Sequence, residues 1–264
     1  MLKQMSTQSR IKEILNRRSL IQIFAINDLK LRYRNSILGF FWSILEPLLM
    51  LSVLFVIFTN VMRSDIPYYP LYLLLGLIMW NMLTRATSMS LGSIISRGSI
   101  ITKIYFPREI PAISSCITSS IMLFFELAVF SAFLAVFQFV PPSTIALLPV
   151  LLIIEFIFIL GLSLPLSVLN VYFRDVQYIW ALIVHAGFFL MPIIYRTEIF
   201  PERLQTLFSL IPMTRILDMA HDVALYNKIP SAADWAYIIA SSLGILCVGY
   251  LIFKRFEARV GEEL

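Results

Sequence analysis

Residues Asp28 to Pro47 read DLKLRYRNSILGFFWSILEP. Three cations, Lys30, Arg32 and Arg34, give way at once to an apolar run that continues to Val61. Ammonium and guanidinium groups stay in water or among anionic head groups, whereas so long an apolar run is best solvated by hydrocarbon. The stretch therefore marks a cytoplasmic membrane surface crossed outward. It decides the fold class as well, because backbone amides in lipid must be satisfied internally, and helices do this within one segment.

The whole chain agrees. Of 264 residues, 59% are hydrophobic and 14% charged, against about 25% charged in a soluble domain. The N-terminus does not read as a secretory signal, since charges recur through residues 3–34 and the first apolar run is too long for a signal core. Cys116 and Cys247 both lie in apolar runs and read as buried packing residues, with no disulfide framework or metal site. The net charge of +5 is concentrated at the ends and in particular loops. That pattern suits membrane orientation, not nucleic-acid binding.

Residues 1–35 form a cytoplasmic interface segment. Ile11, Ile14 and Leu15 share a helix face opposite Lys12, Glu13 and Arg17, as in a helix lying on a membrane surface. From Leu20 to Tyr33 the apolar residues spread around the wheel, so that helix must be covered on more than one side. Beyond it, six runs reach the roughly 20 apolar residues that a bilayer core requires: about 37–61, 70–91, 111–139, 145–169, 177–195 and 235–253. The second is the least apolar, with Asn81 and Arg85 in its later half. Pro141-Pro142-Ser143 makes a tight turn between the third and fourth. With the N-terminus inside, 15 Lys/Arg fall in the cytoplasm and 5 outside, with Arg85 within a span. Both termini are then cytoplasmic. Residues 196–234 are too polar for a span, yet carry apolar patches broken by Pro201 and Pro212. They suit either a helical hairpin dipping into the outer leaflet or an extracellular cap.

Ionisable groups within spans are Glu46, Arg85, Glu126, Glu155 and His185. Each costs several kcal/mol at the bilayer centre unless it faces protein or a cavity. Glu126 and Glu155 read as neutral carboxyls hydrogen-bonded between helices, with a proton relay as the alternative, and His185 as a packed core residue. No G-x-x-x-x-G-K-[ST] occurs, so the chain holds no phosphate cradle and is not itself an ATPase. An ATP-driven process needs a separate motor, docked on the inner loops. The best candidate is Ser93–Pro111, SIISRGSIITKIYFPREIP. There Ile94, Ile95, Ile101 and Tyr105 suggest an apolar stripe, with Arg97, Lys103 and Arg108 free to meet acidic groups. Phe106-Pro107 ends the helix. A plain basic loop obeying the orientation rule fits equally well.

Taken in order, these residues resemble the ABC-2-type exporter permeases, and within them the branch exporting lipid-linked polysaccharides such as O-antigen, capsule or teichoic acid. The resemblance rests on Leu31-Arg32-Tyr33-Arg34, Leu38-Gly39, Trp42 and Pro47; on Trp80; on KIYFPREIP at 103–111; on Tyr172-Phe173-Arg174-Asp175; and on Pro192-Ile193-Ile194-Tyr195. It implies an all-α membrane protein of six spans with an interface helix and a re-entrant hairpin before the last. It implies two copies of the chain with two ABC ATPase subunits, the latter carrying ATP and Mg, and no cofactor in this chain. Coupling to the ATPase falls on Arg97, Lys103, Tyr105, Phe106, Pro107, Arg108, Arg174 and Asp175. Substrate entry or gating falls on Lys30, Arg32, Tyr33, Arg34, Leu38, Gly39 and Trp42, and the place of action is the bacterial cytoplasmic membrane. Ile211-Pro212 and His221 depart from the family's pattern. Export of a drug or other small amphiphile, and gradient-driven secondary transport, are the alternatives. An intramembrane enzyme lacks support, since no acid–base pair stands at helical spacing.

Overall fold

The computed structural model describes residues 7–60, 66–101, 103–258 and 260–263. The predicted end of the first span at Val61 and the outer-loop Ser64 lie outside them. All regular structure among the described residues is helical. Two helices precede the bundle, α1 (Thr7–Asn16) and α2 (Arg18–Arg32). Then follow α3 (Trp42–Asn60), α4 (Tyr69–Ser93), the short α5 (Gly98–Ile101), α6 (Ile110–Val136), α7 (Leu148–Tyr172) and α8 (Val176–Leu190). The chain closes with α9 (Glu202–Ser209), α10 (Pro212–Leu225), α11 (Ala232–Glu257) and α12 (Val260–Glu263).

A helix occupies each of the six apolar stretches. Three are long and apolar enough to cross a membrane by length and composition: Ile110–Val136, Ser143–Tyr172 and Ala232–Glu257. Trp42–Ile57 and Val176–Leu190 are apolar but shorter. At 15 residues, α8 extends only about 22 Å. Residues 37–41, predicted as the start of the first span, are instead a turn and a 3₁₀ segment, Gly39–Phe41. The cause is local: Gly39 takes φ +51°, left-handed space that a helix interior excludes. Its N–H is taken by Ser36 Oγ at 3.2 Å.

The hub is α4, whose residues from Leu71 to Trp80 are all buried. It packs on α6 and α7 and also meets α3, α8 and α10. This placement explains why the second run is the least apolar, since its polar residues meet protein instead of lipid. Arg85 is 7% exposed and grips the fully buried Glu126 of α6 with two parallel bonds, Nη1 to Oε1 at 2.6 Å and Nη2 to Oε2 at 2.7 Å. Both carboxyl oxygens accept, so this is a bidentate ion pair. The expectation of a neutral Glu126 is corrected on that geometry. Glu155 is also fully buried, but no described residue hydrogen-bonds either of its oxygens, contrary to the expected interhelical bond.

Along the opposite side of α7 runs α11, close enough that side chains are excluded. A Cβ on Gly161 would lie 2.7 Å from the Leu246 nitrogen, and one on Gly249 would collide with the Gly161 carbonyl. Small residues permit such backbone contact, which substitutes for a hydrophobic drive between helices in lipid. Helix α11 starts on a capping box, with Ser231 Oγ accepting from the Asp234 N–H at 3.2 Å. At the end of α8, Pro192 breaks the helix. The carbonyls of the irregular segment that follows are collected by α4: Tyr72 Oη shares its proton between Pro192 O (3.0 Å) and Tyr195 O (2.8 Å), and Tyr69 Oη donates to Ile194 O (3.1 Å).

Two smaller expectations fail on α8 and α11. His185 is exposed, lying on the face of α8 that this single chain leaves uncovered, with Tyr178, Ile179 and Leu182. Cys247 is exposed, whereas Cys116 is buried as expected.

Candidate functional site

At one end of the bundle, α2, the end of α4, the start of α6 and the ends of α7 and α11 build one surface. It starts with α2, whose Ile21, Phe24 and Ala25 are buried against Phe106 and Ile110 at the start of α6. Phe24 meets Phe106 edge-on at 5.8 Å, and Thr118 Oγ1 donates to the Ala25 carbonyl at 3.2 Å. On the far side Ile23, Ile26 and Leu31 stay uncovered. The even spread of apolar residues around this helix is thereby divided between protein and an open face.

The loop after α4 turns inward. Arg97, expected to be free for acidic groups, is 8% exposed and already engaged. Nη2 bonds Asp28 Oδ1 at 2.5 Å, Nη1 donates to the Ser93 carbonyl at 3.1 Å, and the guanidinium lies 4.6 Å from the centre of the Phe24 ring. A buried guanidinium needs this much compensation. The expected apolar stripe also faces the protein. Ile94 is fully buried, and Ile95 and Ile101 pack on the inner core formed with Val168, Phe253 and Val260. Helix α5 stops at Ile101 instead of reaching Phe106. Lys103, Ile104 and Tyr105 then project outward, with Tyr105 60% exposed, before Phe106 and Pro107 bury again. Arg108 donates to the Glu257 carbonyl, and Lys254 lies 3.4 Å from the buried Glu109, so the loop's second half is tied to the end of α11. Arg174 and Asp175 are exposed at the turn from α7 to α8. They follow Val171, which shares the inner core with Ile94.

The proposed entry residues divide in two groups. Arg32, Tyr33 and Trp42 line one cleft of about 740 Å³ between the end of α2, α3 and α4. Lys30, Arg34, Leu38 and Gly39 stand outside its lining. Lys30, Arg34 and Leu38 are exposed, and a Cβ on Gly39 would meet nothing within 4 Å. The cleft also takes in Ser36, Glu46 and Asn81, which carry no such assignment from the sequence. The signal for the last two was their polarity within apolar runs. Asn35 at φ +61° and Gly39 at φ +51° turn the chain sharply between α2 and α3, where the cleft lies. Its chemistry is mixed: the guanidinium of Arg32, the phenol of Tyr33, the indole of Trp42 and the carboxyl group of Glu46 share the lining with apolar Leu49, Met50 and Val53. Such a site can take an amphiphile with an anionic head.

Comparison with known proteins defines the class. The chain belongs to the ABC-2 type transporter family, whose profile matches residues 19–225. Among its relatives is an O-antigen export system permease protein RfbA of Klebsiella pneumoniae, 30% identical over 93% of this chain and 95% of the relative. The RfbA of Myxococcus xanthus is 28% identical over 96% of this chain and 98% of its own length. The capsule polysaccharide export inner-membrane protein CtrC of Neisseria meningitidis is 21% identical over 99% of this chain and all of the relative.

Proposed function

We propose that this chain is the membrane subunit of an ATP-driven exporter that moves a lipid-linked polysaccharide across the bacterial cytoplasmic membrane. The observation that carries the reading is the cleft. It joins Arg32 and Tyr33 at the membrane surface to an apolar wall on α3, as a pyrophosphate-linked lipid entering from the inner leaflet requires. End-to-end similarity to polysaccharide export permeases supports it. In this reading Arg32 meets the head group first, Trp42 offers a face for the first sugar, and the exposed Lys30 and Arg34 draw the anion toward the rim. Leu38 and Gly39 form the lip over which the polymer passes. Two copies pair with two ABC ATPase subunits that bind ATP and Mg. Lys103 and Tyr105 dock on them, Arg174 and Asp175 flank the contact, and Phe106, Pro107 and Arg108 fix the loop from behind. The six apolar stretches span the membrane, and α9 with α10 forms a hairpin re-entering from outside.

Deleting the gene should leave cells without surface glycan and with lipid-linked glycan accumulating inside, read by labelling the isoprenoid-linked pool. Arg32→Glu with Arg34→Glu should lower export at least tenfold while the ATPase still co-purifies. Normal surface glycan in the deletion strain, joined by sensitivity to a small amphiphile, would defeat this reading in favour of a drug exporter.

A further inference from the structure

Two polar side chains in the cleft beside α2 have no part in the roles given so far. Glu46 stands one turn beyond Trp42 on α3, and Trp42, Glu46, Leu49, Met50 and Val53 follow the spacing of a single helix face. Asn81 is the central residue of α4 (Tyr69–Ser93), about 18 Å from either end of that helix. Glu46 is exposed and Asn81 half-buried. Each interrupts an apolar run, where a carboxyl or amide group left facing hydrocarbon is costly. Among the described residues neither side chain forms a hydrogen bond or an ion pair, although the same cleft holds the guanidinium of Arg32. Other such groups in the bundle are answered by protein: Arg85 grips Glu126, and Asn170 donates to the Leu91 carbonyl at 2.9 Å. The equally unpartnered Glu155 is fully buried and stands outside the cleft's lining.

The chemistry of this set narrows the occupant. As a carboxylate Glu46 only accepts hydrogen bonds, while the Asn81 amide both donates and accepts. The Trp42 indole adds one N–H, unpartnered among the described residues, and a flat apolar face. A diphosphate also only accepts, so Glu46 repels it and Arg32 is its natural seat. Hydroxyl groups satisfy the other two, donating to the carboxylate and pairing in both senses with the amide. The ring carbons of a sugar lie flat on an indole while its hydroxyls stay free. A metal ion is unsuited, for no three His, Cys, Asp or Glu side chains among the described residues form a group able to hold one. A phospholipid with an ammonium head would set its phosphate at Arg32 and its nitrogen at Glu46, but would leave Asn81 unanswered. At about 740 Å³ the cleft has the size of a small-molecule site.

We propose that Glu46 and Asn81 read the hydroxyl groups of the sugar next to the diphosphate, and so make the cleft select a glycosylated lipid carrier over the bare carrier. The inference rests on the export reading above and adds to it the choice between these two lipids. A bare carrier seats its diphosphate at Arg32 and offers nothing to Glu46 or Asn81, which stay unsatisfied. The glycosylated carrier answers all three, with its first sugar against Trp42. The carboxylate works in both directions, since it accepts from hydroxyls and repels a diphosphate that slides past Arg32. For an exporter the distinction has a use: moving a bare carrier would hydrolyse ATP and deplete the inner leaflet without exporting any glycan.

The test measures binding to the full chain in phosphatidylcholine nanodiscs with two probes, a short-chain polyprenyl diphosphate and the same lipid bearing one glucosyl residue. The parent should bind the glucosylated probe about tenfold more tightly, or better, as hydrogen bonds to a carboxylate and an amide warrant. Glu46→Leu with Asn81→Leu should bring the two affinities within about threefold of each other. Glu46→Gln keeps hydrogen bonding and removes the repulsion, so it should tighten binding of the bare probe; a purely structural role would shift both probes alike. If the double variant fails to fold, Glu46→Gln decides alone, and an unchanged affinity for the bare probe overturns the inference. Equal affinities in the parent, or a double variant that still prefers the sugar, overturn it too while leaving the export reading in place. Binding of neither probe to the parent overturns the export reading as well. In discs rich in phosphatidylethanolamine the preference should persist, and its loss would give the cleft to that phospholipid instead.

Discussion

Arg85 and Glu126 carry opposite full charges in the middle of an apolar bundle, and each is tolerable only because of the other. Removing one partner of such a pair costs about 3–5 kcal/mol, while replacing both with apolar residues of similar volume is often neutral. Glu126→Gln should therefore lower the midpoint of unfolding in detergent and the yield of folded protein sharply, and Arg85→Met with Glu126→Leu should restore most of both. Equal losses in the single and the double variant would contradict the pair's role. Both residues are visible in the sequence as charges within apolar runs. Their partnership is not, because it joins positions 41 residues apart on helices whose relative rotation no local pattern encodes. Arg97 shows the same limit. Its basic loop was legible, but its capture by Asp28 depends on where α2 folds back. Arg32, Tyr33 and Trp42 stand out in the sequence where charge gives way to an apolar run, and the structure brings these three to one cleft. Asn81 joined them only through the packing of α4.

At the scale of elements, helix placement followed the apolar runs closely, and the two misses have local causes. A left-handed glycine delays α3, and Pro192 cuts α8 short. The burial of α10 was less legible. Its Ile216, Leu217 and Ala220 are fully covered by neighbours although the segment reads as polar overall, because Arg215, Asp218 and Asp222 are confined to one side. The orientation rests on 15 basic residues assigned inside against 5 outside. Single cysteines at Ser143 and Thr197, in a Cys247→Ala background, should react with an impermeant thiol reagent in intact spheroplasts. Ser99 should react only after permeabilisation, and its labelling from outside would invert the topology.

At the scale of the whole molecule, the loop after α4 divides into residues packed into the bundle and residues exposed on this single chain. Arg97, Phe106 and Glu109 are buried, whereas Lys103, Ile104 and Tyr105 project. Lys103→Glu with Ile104→Ser should reduce co-purification of the ATPase several-fold and leave membrane insertion unchanged. Arg97→Glu sets a carboxylate against Asp28 and should lower the amount of folded permease before any effect on docking. If Lys103→Glu with Ile104→Ser retains full ATPase binding and export, the docking surface lies elsewhere.

The glycine seam between α7 and α11 has a consequence for how this protein can change over generations. Where Gly161 meets Gly249, no side chain of any kind is admitted without parting two helices. On α8, residues such as Leu182 and Ile183 have more than half their surface uncovered by this chain, so no neighbour within it dictates their shape. Mutations at the seam are removed by loss of the fold, while those on the outer face drift among apolar residues almost without penalty. The protein's tolerance for inherited variation is thus divided along its own helices, narrow where backbones touch and wider where no neighbour within the chain stands against the side chain.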